Sequence, residues 1–156
     1  MKIKSLLLIM LIAVCAASCS KDDDDAQVKY SSVVAGTYKG SSSALFKYIT
    51  TPMVTDNDTT LISALTDNTV NIVYKSATWG KMTVNGATVT ESNNLYTISG
   101  SGTVLMGMSG STPKNYDCTF TGTVEAGHAN PKFVMTIPSV MGGLVITFSN
   151  TTTTTK

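Results

Sequence analysis

Side chains that carry out catalysis are sparse in this sequence of 156 residues. His128 is the single histidine, and it stands in the loop-like segment 126–130 (AGHAN) with no cysteine or carboxylate at metal-ligand spacing beside it. The glycines of segment 100–102 (GSG) lack the strand-then-helix context of a phosphate-binding loop. Since no nucleophile, base and orienting group occur together, the sequence predicts a protein that is not an enzyme and uses no cofactor.

Two aspartates resemble the beginning of a calcium-binding loop. Asp56 and Asp58 alternate around an asparagine, but the positions that need glycine and glutamate are occupied by Leu61 and Asp67. We therefore predict no metal site. The overlapping tripeptide Asp58-Thr59-Thr60 resembles a short O-glycosylation sequon of some Gram-negative bacteria, although three residues also match by chance.

Charge and composition exclude further classes of function. Eleven lysines stand against ten acidic residues and form no cluster, so no nucleic-acid surface is expected. Hydrophobic residues make up 42% of the chain and charged residues 13%, which favours one folded domain over a disordered chain. Abundant threonine and glycine favour strands and turns, and we predict an all-β fold.

The N-terminus is typical of a signal peptide. Lys2 and Lys4 precede an apolar run over residues 6–14. A run of this length is too short for a membrane span, which needs about 20 residues. We therefore assign residues 1–18 to a signal peptide and exclude them from the fold.

Cys19 follows the small residues Ala16, Ala17 and Ser18. This arrangement resembles the lipobox of bacterial lipoproteins, although Ala16 stands where leucine is usual. The resemblance implies that Cys19 carries the acyl chains (palmitate) that anchor the protein to a membrane. Cys15 is the competing candidate, but a valine precedes it and it would cut the apolar run short.

The segment behind Cys19 reads Ser-Lys-Asp-Asp-Asp-Asp over residues 20–25. It resembles the export signal that sends lipoproteins of some Gram-negative anaerobes to the outer face of the outer membrane. Adjacent carboxylates also repel one another and stay extended, so residues 19–32 are expected to form a solvated tether.

From about residue 33 the chain alternates apolar and polar residues with a period of two, which predicts strands. In the clearest alternation Tyr116, Cys118, Phe120 and Val124 share one face. Cys118 should then point inward, with a raised pKa and low reactivity, and it has no disulfide partner. About eight such strands predict an antiparallel up-and-down β-barrel over residues 33–150, followed by a threonine-rich tail over 151–156.

Two stretches interrupt this pattern. At Asn85-Gly86 the apolar phase flips, which means either a hairpin turn or a β-bulge. Within residues 49–68, Pro52 and the segment 56–58 predict a loop. Thr60–Leu65 fits either a strand or a helical turn and is interpreted as a strand.

Five blocks carry a resemblance to a family: AGTYKG (35–40), DNTV (67–70), VTE (89–91), YTISGSG (96–102) and FTGTV (120–124). They resemble the calycin-like domain of bacterial surface lipoproteins over nearly all of residues 33–150. The resemblance implies an eight-stranded barrel related to lipocalins and fatty-acid-binding proteins, with no established activity. It also favours the bulge at Asn85-Gly86, whereas Cys118 and the long segment 49–60 depart from the family pattern.

Two classes of function remain. In the first, implied by the resemblance, the barrel is a binding module for an apolar or amphipathic small molecule. In the second, it is an accessory protein whose interior is filled by its own side chains and whose loops meet an unspecified protein partner. An eight-stranded barrel is just wide enough for either arrangement. If a cavity exists, the inward-phase residues predicted to line it are Tyr74, Tyr96, Met106, Met108, Met135 and Phe148.

Overall fold

The computed structural model of the protein describes residues 28–107 and 111–154. The predicted signal peptide, Cys19 and Met108 lie outside the described residues. Within those residues the chain forms eight strands, preceded by one short helix, α1 (Tyr30–Val34). The strands are β1 (Gly36–Phe46), β2 (Met53–Thr66), β3 (Thr69–Ser76), β4 (Gly80–Ser92), β5 (Leu95–Met106), β6 (Lys114–Glu125), β7 (Lys132–Ile137) and β8 (Leu144–Thr154).

Each strand pairs antiparallel with its sequence neighbours, and β8 pairs with β1, so the sheet closes into a barrel. This confirms the predicted antiparallel barrel. Closure leaves no strand edge unpaired, which removes the template for edge-to-edge aggregation.

The alternation that predicted the strands also gives their orientation. In β6, Cys118, Phe120, Gly122 and Val124 are buried, and the residues that alternate with them are exposed or half-buried. Tyr116 is only partly buried because it lies near the beginning of the strand. One face of each strand therefore builds the core, as the period of two predicts.

The phase flip in β4 is a β-bulge. The strand runs without interruption through Asn85 and Gly86, and its register with β5 shifts between Val84 and Thr88. Gly86 has a φ of 69°, a conformation that glycine adopts without a steric penalty. The hairpin alternative was wrong.

The predicted loop at residues 56–58 was also wrong. β2 continues through this segment with an extra residue relative to β1, between the pairs Gly40–Asp58 and Ser42–Thr55. Asn57 has a φ of 62°, and asparagine tolerates this left-handed conformation better than most residues. The bulge turns Asp58 inward, where it is buried.

Both boundaries of the barrel differ from the sequence prediction. β8 continues to Thr154, which pairs with Thr37, so part of the segment assigned to the tail belongs to the barrel. The threonines of this segment are β-branched and suit an extended strand. At the other boundary, α1 begins at Tyr30, inside the segment assigned to the tether.

The two ends of the barrel differ. At the helix end, α1 packs beside β2, β3 and β4, and the Tyr38 hydroxyl donates a 2.7 Å hydrogen bond to the Val34 carbonyl. At the opposite end, which we call the open end, β1, β3, β5 and β7 finish and no helix of the described residues follows them. None of the helices in the described ranges is long and apolar enough to cross a membrane.

Aromatic side chains fill the middle of the barrel. The Phe133 ring lies 5.1 Å from that of Tyr38 and 5.5 Å from those of Phe120 and Phe148, measured between centroids. Phe148 continues this cluster toward Tyr74, at 6.4 Å. Edge-to-face and offset ring pairs of this kind add stability beyond the apolar area that they bury.

Candidate functional site

A cavity of about 360 Å³ lies at the open end of the barrel. Its wall is built from the ends of β1 and β5, the beginnings of β2 and β8, and the turns that join β3 to β4 and β7 to β8. The main apolar residues of this wall are Phe46, Met53, Trp79, Met106, Val140 and Leu144. Apolar walls without a charged group suit a ligand that is bound mainly by the burial of its own surface.

Trp79 is the most informative residue of this wall. It is the single tryptophan of the chain and is almost completely buried, with its ring 6.0 Å from that of Phe46. Its backbone N–H donates to Oγ of Ser76 at 3.2 Å, which fixes the turn between β3 and β4. The indole Nε1 donates to Oγ1 of Thr55 at 3.2 Å, so both the backbone and the ring of Trp79 are held by hydrogen bonds.

Behind Trp79 lies a buried polar network on β1, β2 and β3. Oδ2 of Asp58 accepts hydrogen bonds from Oγ1 of Thr55 at 2.8 Å and from the Tyr74 hydroxyl at 2.9 Å. Oγ of Ser42 lies 2.9 Å from the same Tyr74 hydroxyl. Asp58 is 1% exposed, and a buried carboxylate is tolerated only where hydrogen-bond donors replace water.

The phenols of Tyr38 and Tyr74 stay protonated over the physiological range. Burial raises the pKa of Tyr74 well above its usual value, and the neighbouring Asp58 acts in the same direction. Burial also raises the pKa of Tyr38. The Tyr74 hydroxyl therefore keeps the hydrogen that it donates in its hydrogen bond to Asp58 over this range.

Thr60 lies next to this network. In register it stands between Tyr38 on β1 and Tyr74 on β3, and its side chain is fully buried. Within the described residues its Oγ1 has no hydrogen-bond partner. A buried hydroxyl without a partner costs about 1–3 kcal/mol of stability. The hydrogen-bonding groups on this wall of the barrel are therefore not all satisfied.

The residues predicted to line a cavity are spread along the barrel. Met106 lines the cavity at the open end. Tyr74, Met135 and Phe148 are buried deeper in the core. Tyr96 lies near the helix end, where its ring meets that of Tyr30 at 6.0 Å, so it is at the opposite end from Met106.

Sequence reasoning missed most of the cavity wall. Phe46 and Leu144 have the inward phase of their strands, so the period of two could have indicated them. Trp79 and Val140 lie in turns, where no periodic pattern applies. The signal for these two was a large apolar side chain in a turn that otherwise consists of small and polar residues.

His128 and Cys118 both lie apart from the cavity wall. His128 lies in the short 3₁₀ turn Ala126–His128 at the helix end, half-buried, with its ring stacked 5.8 Å from that of Tyr38. Cys118 is buried as predicted, and burial raises its pKa to about 11. Among the described ranges no three histidine, cysteine or acidic residues are grouped as metal ligands would be.

Comparisons with known proteins agree with this architecture. A family model for the calycin-like beta-barrel domain matches residues 34–151, which confirms the resemblance carried by the sequence blocks. A solved structure from Bacteroides fragilis, provisionally described as an outer membrane protein, matches with a TM-score of 0.66 and 28% sequence identity. The match covers 80% of this chain and 46% of that chain, so this chain spans less than half of its neighbour's length. Among curated proteins, none matches.

Proposed function

Because the chain belongs to the calycin-like β-barrel family, we propose that it is a lipid-anchored, non-enzymatic binding module of the outer membrane. Its ligand is an apolar or amphipathic small molecule, which binds at the open end of the barrel. The acyl chains on Cys19 hold the protein to the membrane, and the barrel faces the cell exterior. The cavity at the open end is the observation that carries this proposal.

Size and chemistry of the cavity support a small ligand. Its volume of about 360 Å³ lies at the lower end of the range typical of small-molecule sites, about 300–1,000 Å³. Met53 and Met106 are flexible and polarisable, so they adapt to ligands of different shape. Each Å² of apolar ligand surface that leaves water contributes roughly 25 cal/mol.

The position of the tether supports the orientation. The described chain begins at the helix end, where Nζ of Lys29 lies 3.0 Å from Oδ1 of Asp67. A tether that leads from Cys19 to this point joins the barrel at the end opposite the cavity. The open end then points away from the anchoring membrane. The assignment to the outer membrane is supported by the Bacteroides fragilis structure.

Binding is tested with a neutral fluorescent probe, N-phenyl-1-naphthylamine, and the protein from residue 20 onward. We expect saturable binding, with energy transfer from Trp79 to the probe because the indole lines the cavity. Met106→Trp should abolish binding by filling the cavity. Thr103→Trp, an exposed residue of the same strand, is the matched control and should leave binding unchanged. Equal binding by both variants would contradict the proposed site.

A second candidate function is that of an accessory protein that presents its open end to a protein partner. It is favoured by the apolar residues exposed around this end, which include Tyr48 at 78%, Val54 at 67% and Met141 at 50%. Contiguous exposed apolar residues are typical of interaction sites. Two results together would support this function over ligand binding. The barrel would bind no apolar probe, and Val54→Asp would abolish its binding to a protein partner.

The anchor has a test of its own. Cys19→Ala should release the protein from the membrane fraction, because a multiply acylated cysteine supplies the anchoring energy, about 0.8 kcal/mol per buried CH₂. Cys15→Ala is the matched control. Retention of Cys19→Ala together with release of Cys15→Ala would move the lipidation site to Cys15.

A further inference from the structure

A second groove adjoins the cavity at the open end. It has a volume of about 350 Å³ and shares Thr78, Met106 and Gly107 with the cavity wall. Its opposite side carries the exposed lysines Lys75 and Lys81. An apolar cavity and a basic groove therefore adjoin each other at these shared residues, and a molecule that occupied both would be amphipathic.

When no anion is bound, the positions of Lys75 and Lys81 are electrostatically unfavourable. Lys75 and Lys81 are direct Cα partners on β3 and β4 and lie on the same outward face. Like charges directly opposite each other on antiparallel strands are destabilising. The ion pair of the described residues joins Lys29 to Asp67 at the helix end. No carboxylate of the described residues therefore forms an ion pair with Lys75 or Lys81. An anion between the two ammonium groups would relieve the repulsion.

A third lysine adds to the positive charge at this rim. Lys114 is the Cα partner of Met106 and has the same phase as the inward residues Tyr116 and Cys118. It is exposed because it is the first residue of β6, at the open end. Its register therefore places Lys114 beside Met106 at the open end of the barrel.

The charge inside the barrel has the opposite sign. Asp58 is the buried charged residue of the described core, and Thr55 joins it to the indole of Trp79 in the cavity wall. A negatively charged head group that entered the cavity first would lie nearer to this carboxylate than one at the rim, and no lysine of the described residues lines the cavity to compensate. The fixed charges thus favour one orientation, with the anionic group at the rim.

We propose that the ligand is an anionic single-chain amphiphile, with its apolar chain in the cavity and its carboxylate or phosphate between Lys75 and Lys81. This inference rests on the proposed function and specifies the ligand class of the same site. The apolar chain supplies most of the affinity, and the lysines supply the preference for an anionic head group.

The test compares amphiphiles that share one alkyl chain: dodecanoate, dodecyl phosphate, dodecanol and dodecyltrimethylammonium, all below their micelle-forming concentrations. Binding is followed by the fluorescence of Trp79. We expect both anions to bind more tightly than dodecanol, and the ammonium compound to bind least. The preference for the anions should shrink with added salt, because exposed charges are screened.

The double variant Lys75→Gln/Lys81→Gln should weaken binding of dodecanoate and dodecyl phosphate about 3- to 10-fold, as expected for exposed charge pairs, and leave dodecanol unchanged. Lys39→Gln/Lys132→Gln removes two exposed lysines from outside the groove and is the matched control. This control variant should change neither the binding of the two anions nor the binding of dodecanol. A difference between the two anions within the wild type would indicate which head group fits the groove.

Failure of this inference is distinguishable from failure of the proposed function. Equal affinity for all four head groups, or no effect of the Lys75→Gln/Lys81→Gln variant, would overturn the preference for an anionic head group. Neither result would contradict binding of the apolar chain in the cavity. Binding to anionic vesicles but to none of the monomeric amphiphiles would overturn both this inference and the proposed function in favour of a membrane surface. No binding of any amphiphile, dodecanol included, would overturn the proposed function itself.

Discussion

The helix end and the open end are formed by the same eight strands but have opposite character. At the helix end, α1 packs against the short turn that contains His128, the His128 ring stacks on Tyr38, and Tyr38 meets Phe133 edge-to-face. At the open end the last inward side chains, Phe46 and Leu144, are neighbours across β1 and β8 and line a cavity. The barrel is therefore filled from one side only.

Because of this difference, the helix end contributes mainly to stability and the open end mainly to ligand binding. Interlocked rings at the helix end bury apolar area within the protein and hold the strands together. Side chains at the open end leave apolar area for a ligand, at the expense of packing that they could have made. Substitutions at the two ends should consequently affect different properties, and each of the following predictions tests this separation.

The largest effect is expected from the core near the helix end. Phe133→Ala should lower the free energy of unfolding by about 3–5 kcal/mol, because Phe133 contacts three other rings. Phe46→Ala removes the same group from the cavity wall and should cost less, since one side of that ring faces empty space. Urea unfolding of both variants measures the difference. Equal losses would mean that the two ends are packed equally well.

A second comparison uses two glycines with nearly equal φ angles, 80° for Gly80 at the open end and 76° for Gly127 at the helix end. A Cβ on Gly80 would collide with the Leu105 carbonyl, whereas a Cβ on Gly127 would meet nothing within 4 Å. Gly80→Ala should therefore cost about 2 kcal/mol or more, and Gly127→Ala only the backbone strain of about 1 kcal/mol. Thermal unfolding of the two variants is the measurement. A larger loss for Gly127→Ala would contradict the described approach of β4 to β5.

The thiol in the middle of the barrel predicts a pH dependence. Burial raises the pKa of Cys118 from 9.0 to about 11, so the unfolded chain loses the thiol proton first. This contribution to stability is fully present below pH 9 and is lost as the pH rises through 11, at about 1.4 kcal/mol per pH unit. The raised pKa values of Tyr38 and Tyr74 act in the same direction at higher pH. Urea unfolding between pH 8 and pH 10 should show a smaller decline for Cys118→Ala than for the wild type, and parallel curves would contradict burial of the thiol.

The smallest effect concerns the contact between β1 and α1. Tyr38→Phe removes the hydroxyl that donates to the Val34 carbonyl and should cost about 1 kcal/mol. We expect faster amide hydrogen exchange in α1 and unchanged binding of N-phenyl-1-naphthylamine at the open end. Weaker probe binding by this variant would show that the two ends are coupled.

Sequence patterns predicted the barrel well because its strands are two-faced. The alternation around Cys118 gave the inward face of β6, and the family blocks favoured the bulge at Gly86. The inward turn of Asp58 could not be predicted locally. An aspartate-asparagine-aspartate segment is typical of a loop, and the donors that make its burial possible include Tyr74, from another strand.

The cavity was less predictable than the barrel. Strand periodicity identifies which residues point inward, but not whether opposite residues meet across the interior, since that depends on the lengths of strands and turns. Met106 and Met135 have the same phase, yet one borders the cavity and the other lies in the packed core. Trp79 enters the wall from a turn, where its position depends on hydrogen bonds to Ser76 and Thr55.

Pairing of β8 with β1 determines when the protein can fold. Thr37 and Thr154 are neighbours across this seam, so the ring closes through contacts between nearly the two extremes of the described chain. Non-local contacts of this kind form late and slow the folding rate, because the loop entropy is lost before the contacts form. Until β8 has emerged from the ribosome or from a translocation channel, β1 lacks its partner strand. A chain that crosses a membrane in an unfolded state benefits from this delay, and we expect a version truncated before β8 to remain sensitive to proteases.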